Sequence, residues 1–189
     1  MRVTQDDARE NDQIRLFGLT PLQGRSNKYI PDATVVVGGI EHLIELKTSD
    51  IAKKQVSTAR NVTLPKLEEW RKVWWVFSQY EKAEGGHHFT GEHWIAHGED
   101  LQPWFAKQEK KILDGTPTYG GLNHWNKCRQ LLEGKMNDDD LQRLDNSFHK
   151  KGCGLNDPKI GWSEVQKLCT RLDPQRPDEH LKEIIGRRA

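Results

Sequence analysis

Asp32, Glu45 and Lys47 stand in the segment PDATVVVGGIEHLIELK, residues 31–47, among valines, isoleucines and leucines of the kind that build a core. Two carboxylates and an amine are costly on buried strands unless they answer one another or an ion. The turn between the two arms suggests how they meet. Gly38-Gly39 suits a two-residue hairpin turn, because its central positions need positive φ and glycine adopts it without a Cβ penalty. If Val37 and Ile40 close that turn, opposed residues have numbers that sum to 77. Asp32 then faces Glu45, with Cβ atoms about 5 Å apart. Lys47 is two residues beyond Glu45 and points to the same face. Facing carboxylates repel unless something positive lies between them, and an oxygen-preferring divalent cation such as Mg²⁺ answers that need. A lysine beside such an ion can orient or deprotonate an attacking water, or offset charge growing on a phosphate. Together these are parts for hydrolysing a phosphodiester. Glu-x-Lys alone is a common pattern, and on most strands it marks a solvated face with a weak salt bridge. The register is what singles these residues out.

The elements that must hold this constellation follow from periodicity. The other hairpin face collects Ala33, Val35, Val37, Ile40, Ile44 and Leu46, with His42 its one polar member. Val73–Tyr80 (VWWVFSQY) opens with a continuous apolar run and reads as a strand covered on both faces. Phe89–Ala96 reads as its antiparallel neighbour. Residues 99–114 and about 123–133 read as helices, the first ending at Gly115. The expected fold is α/β (α+β): a central mixed sheet flanked by helices, over residues 1–134, with a polar helical appendage, dimer contact or linker over 135–189. The three cysteines are widely spaced, which suits a reducing compartment. There is no N-terminal hydrophobic leader and no apolar run long enough for a membrane span, so a cytoplasmic, membrane-free protein is expected. The formal charge of +1 means that any affinity for nucleic acid must come from how charge is distributed.

Pro31-Asp32 followed by Glu45-Leu46-Lys47 resembles the signature of the PD-(D/E)XK nuclease superfamily. The flanks over roughly residues 16–134 resemble the PvuII-type restriction endonucleases within it: Gly18-Leu19-Thr20, Leu22 and Gly24-Arg25 before the aspartate, then Ser57-Thr58, Trp70 to Phe77, Glu99-Asp100-Leu101 and Trp104-Phe105. The resemblance implies a restriction-endonuclease-like fold, with Asp32, Glu45 and the Leu46 carbonyl as Mg²⁺ ligands and Lys47 as the catalytic lysine. It also implies a homodimer that straddles double-stranded DNA and cuts both strands. The chain departs from that family where Trp70 replaces a tyrosine and Ala59-Arg60-Asn61 replaces histidines. The tail from about residue 135 has no counterpart there.

From Lys47 to Lys72 the chain carries seven Lys and Arg against three acidic residues, the most basic stretch beside the candidate site. Lys53 and Lys54 suit phosphate contacts, Arg60 a guanine edge and Asn61 an adenine or a water-bridged contact. Ser57 and Thr58 fall on the family's base-reading segment, and Arg25 is placed to grip a phosphate near the site. The expected activity is Mg²⁺-dependent restriction-type cleavage at a short specific site, in plain or modified bases. The alternatives are a non-cleaving DNA-binding module or subunit that keeps the fold, and a structure-specific repair or recombination nuclease.

Overall fold

The computed structural model describes residues 5–22, 31–59, 62–114, 129–143, 155 and 157–188. Its contacts divide the chain into two compact units, one from segments 1–57, 69–101 and 159–189, the other from segments 58–68 and 102–158. Both helix and strand are present, with a central, mostly antiparallel sheet flanked by helices.

The first unit is built on six strands: β1 (Thr20–Pro21), β2 (Ala33–Val37), β3 (Ile40–Asp50), β5 (Trp74–Ala83), β6 (Gly86–His97) and β8 (Thr170–Arg171), in that spatial order. β3 and β5 run parallel, and every other neighbouring pair is antiparallel. A separate two-stranded ribbon joins β4 (Gln55–Ser57) to β7 (Lys159–Gly161). Gly38 and Gly39 both have positive φ, and the hairpin keeps the expected register from Val37 opposite Ile40 to Ala33 opposite Ile44. One sheet face, with Ala33, Val35, Ile44, Leu46, Trp74 and Val76, forms the core. It is covered by Ile14 and Phe17, at the end of helix α1 (Gln5–Leu16) and just past it, and by Leu181 and Ile185 of the C-terminal helix (Pro177–Arg188). α1 stops at Gly18, whose φ of 58° lets Leu19 N–H turn back to the Ile14 carbonyl at 2.9 Å.

The continuous apolar strand expected at 73–80 is β5, buried at every position from Trp74 to Ser78. The tail is placed differently from the expected division at 134. Residues 159–188 belong to the first unit: they supply β7, β8, a short helix (Trp162–Leu168) and the C-terminal helix whose apolar face closes the core. The second unit holds a helix (Gln102–Asp114), where the Trp104 and Phe105 rings meet edge to face. It also holds helical residues at 129–132 and 138–143, the latter capped where Asn137 Oδ1 accepts from Asp140 N–H at 2.8 Å. The expected helix at 123–133 lies partly outside the described residues. Among the described residues no helix is long and apolar enough to cross a membrane.

A buried polar chain fastens α1 to the centre of the sheet. Gln13 Nε2 donates to Ser78 Oγ at 2.8 Å, and lies 3.4 Å from the Lys47 carbonyl. The Ser78 hydroxyl lies 2.9 Å from His93 Nδ1, so the two share a hydrogen bond whose direction is set by the imidazole tautomer. Burial lowers the His93 pKa from 6.5 to about 4. As pH falls below about 6.5, the unfolded chain therefore takes up a proton that the folded one refuses until about pH 4. Stability should fall across that window by up to ~1.4 kcal/mol per pH unit. Urea melts at several pH values should show this slope, and His93→Gln should flatten it.

Gly98 sets a second constraint. A Cβ there would meet the Trp70 and Arg71 carbonyl oxygens at 2.4 and 2.5 Å. Gly98→Ala should cost about 1–3 kcal/mol or more, read as a lowered midpoint in denaturant melts.

Candidate functional site

The three charged residues converge at one rim of the sheet. Glu45 and Lys47 lie on β3, alternating with Ile44 and Leu46, which face the core. Asp32 precedes β2, and here the pairing departs from the simple ladder. The Asp32 amide donates to the Ile44 carbonyl at 3.0 Å, although Ile44 already opposes Ala33. Two residues of one arm thus answer one of the other, a bulge-like step, and Asp32 does not sit squarely across from Glu45 as expected. The Asp32 backbone is held on its other side by Leu22, whose N–H donates to the Asp32 carbonyl at 3.2 Å. This step turns the carboxylate toward β3, where Oδ2 accepts from the Leu46 amide at 2.7 Å.

The Lys47 ammonium closes the cluster. Nζ lies 2.6 Å from Glu45 Oε1, 2.9 Å from the Leu46 carbonyl and 3.8 Å from Asp32 Oδ2. These belong to the three residues expected to bind a cation, so a positive charge already stands among them. Glu45 is 5% exposed, and side chains so sheltered keep their charge only when paired. The wall beside Lys47 is aromatic. Trp75 pairs with Glu45 across the parallel β3–β5 ladder, and its ring centre lies 5.9 Å from Lys47 Nζ. Trp75 stacks on Phe77, and its indole N–H donates to the Trp70 carbonyl at 3.0 Å. Trp70 is itself buried, with its ring edge-on to Trp75.

Two carboxylates and a main-chain carbonyl are hard oxygen donors of the type that suits Mg²⁺, so the residues present fit that ion. Among the described residues no three His, Cys, Asp or Glu side chains gather as a metal cage. The carbonyl of Leu46 is what makes the candidate donor set three.

The expected DNA-facing residues are not equivalent in the structure. Lys53, Lys54 and Ser57 are exposed. Thr58 is buried, and its hydroxyl donates to the Pro158 carbonyl at 2.5 Å within the second unit. A base contact would have to break that bond. Arg25, Arg60 and Asn61 lie outside the described residues. Sequence reasoning did not find the Gln13–Ser78–His93 chain. Its one available signal is three polar residues, each placed where the pattern asks for an apolar one. No known protein family and no curated protein matches the sequence of this chain.

Replacing Lys47 by Met removes the cation 2.6 Å from a sheltered carboxylate. Lys47→Met should therefore cost about 3 kcal/mol in chemical denaturation, with Glu45→Gln in the same chain recovering most of the loss.

Proposed function

We propose that the chain is a Mg²⁺-dependent endonuclease of restriction type, which hydrolyses phosphodiester bonds of double-stranded DNA at a short specific site. The observation that supports this best is the convergence of Asp32, Glu45, the Leu46 carbonyl and the Lys47 ammonium at one rim of the sheet. A restriction-endonuclease-like fold, a homodimer cutting both strands and a cytoplasmic setting belong to the same reading.

In this reading Asp32, Glu45 and the Leu46 carbonyl hold the ion. When bound, Mg²⁺ supplies Lewis-acid polarisation of the phosphate and a lowered pKa for the attacking water. Lys47 donates from Nζ to that water or to a phosphate oxygen, offsetting charge as it develops. The Leu46 amide holds the Asp32 carboxylate in orientation through its 2.7 Å bond. Trp75 and Phe77 form an apolar wall that keeps bulk water from the lysine side of the site and strengthens its electrostatics.

One observation favours a second reading. The ammonium bonded to Glu45 and Leu46 also fits a purely structural ion pair, as in a DNA-binding module that does not cut. Digestion of plasmid DNA with and without Mg²⁺, on unmethylated and methylated substrates, separates the two. The nuclease should give discrete bands. Asp32→Asn, which keeps an acceptor for the Leu46 amide, should lower the rate at least about a hundredfold, since even indirect partners of metal ligands are worth 10- to 100-fold. Absence of cutting on every substrate would leave the binding module; smeared or junction-dependent products would indicate a structure-specific nuclease.

A further inference from the structure

We propose that a cavity between the sheet and the C-terminal helix binds a small planar aromatic molecule carrying one anionic group, with Arg187 meeting the anion. The cavity has a volume of about 510 Å³, within the range of small-molecule sites. It opens on the sheet face opposite the carboxylate cluster. Trp74, on its floor, pairs with Ile44 on the core face, whereas Trp75 pairs with Glu45 on the other. The site therefore stands independently of the nuclease reading.

The cavity follows from how short β8 is. Thr170 and Arg171 pair with Ile95 and Trp94, and the chain before them belongs to the short helix that ends at Leu168. Beyond Ile95, β6 has no strand on that edge among the described residues, and Ala96 lines an opening instead of a ladder. The His97 amide, next along β6, is answered by Asp100 Oδ2 at 3.1 Å. Trp74, Ile95 and Ala96 give the cavity an apolar floor. Thr170 opposes Ile95 and shares its face, so its hydroxyl stands at the edge of that floor.

The C-terminal helix supplies the opposite wall from a single stripe. Leu181 and Ile185 face the core, while His180, Ile184, Arg187 and Arg188 line the cavity. Ile184 stands four residues after His180, and three and four before the two arginines, which is the spacing of one helix side. An apolar side chain thus sits between polar ones, facing the indole of Trp74 and the aliphatic floor.

Charge and hydrogen bonding set the ligand class. Arg188 is committed: its guanidinium bonds Asp100 and Glu99, and lies 5.8 Å from the centre of the Trp74 ring. Asp100, the acid of the lining, is thereby answered, which disfavours a cationic ligand. Arg187 is held less firmly. It reaches Glu183 at 3.6 Å, and Glu183 already accepts from Arg176 at 2.7 Å. The Arg187 side chain is 74% exposed, so that pair is weak and can be exchanged for a ligand's anionic group. His180 adds a neutral donor. The Asp173 amide donates to its Nδ1 at 3.0 Å, which leaves the proton of the neutral imidazole on Nε2. The floor and the Ile184 wall suit a flat apolar body.

The test titrates the full chain with indoleacetate, with uncharged indoleacetamide and with inorganic phosphate, followed by amide NMR. Indoleacetate should shift the amides of Thr170 and His180 saturably, with a Kd of about 1 mM or lower, and leave those of Glu45 and Lys47 in place. The uncharged amide should bind about tenfold more weakly or worse, and phosphate should not reproduce the shifts. Arg187→Ala should weaken indoleacetate about tenfold and leave indoleacetamide unchanged. Thr170→Trp sets an indole over Ile95 and should abolish binding of both. Arg187 and Thr170 are exposed, so both variants should melt with the parent. Equal binding of acid and amide, equal shifts with phosphate, or unchanged affinity in Arg187→Ala overturns the ligand class. Absence of saturable shifts around the cavity, or full binding by Thr170→Trp, overturns the site.

Discussion

Glu45 is a carboxylate almost out of contact with solvent, and the Lys47 ammonium 2.6 Å away is what answers it. Removing a charge from water costs several kcal/mol even after the surroundings relax, and only close pairing with hydrogen bonds offsets that. The pairing cannot be loose, so the strand that carries both groups must be fixed. β3 is held on both edges, by β2 on one side and by the parallel ladder to β5 on the other. Asp32 joins from the end of the hairpin, through a bond to the backbone of the same strand. The site is thus built on sheet geometry, where atoms are placed more accurately than a surface loop would place them.

The stability that holds charged groups in this position comes from the opposite face. Ile14, Phe17, Leu181 and Ile185 close over Ile44, Leu46, Trp74 and Val76. Each large apolar side chain buried there contributes roughly 1.5–3 kcal/mol, so a few of them outweigh the desolvation of one ion pair. The same face also carries polar groups, because Gln13, Ser78 and His93 fill positions that could have been apolar. Their bonds are directional, and one of them reaches toward the Lys47 carbonyl. They specify where α1 sits on β3 and β5, which apolar contacts alone do less sharply.

Local patterns made the hairpin legible. Two glycines at the turn and an apolar set gathered on one face of both arms leave one register, since a slip of one residue would send that set to the wrong face. β5 was equally open to reading, because a run such as VWWVF can be satisfied only inside. The step at Asp32 was not, since it depends on backbone bonds to Leu22 and Ile44 at the very end of a ladder. Thr58 resembled an exposed base reader until Pro158, a hundred residues later, took up its hydroxyl. The short strands of the tail, KIG and TR, contain too few residues to show a period. They become strands only by pairing with β4 and β6.

That pairing changes what the tail is. Within one continuous stretch, Lys159–Gly161 completes the ribbon, Thr170–Arg171 extends the sheet from β6, and Leu181 and Ile185 seal the core over the hairpin. A separate appendage would touch the rest of the chain at one place, and its removal would leave the sheet as it was. Here the segment meets the rest of the first unit through two hydrogen-bonded strand pairings, an apolar face and the ion pairs of Arg188 with Glu99 and Asp100. Taking it away would open the core face of β2 and β3 to water and unpair β4 together. The apolar closure on one face of β3 and the charged cluster on the other therefore share a support: residues 159–188 belong to the framework on which Asp32, Glu45 and Lys47 are arranged.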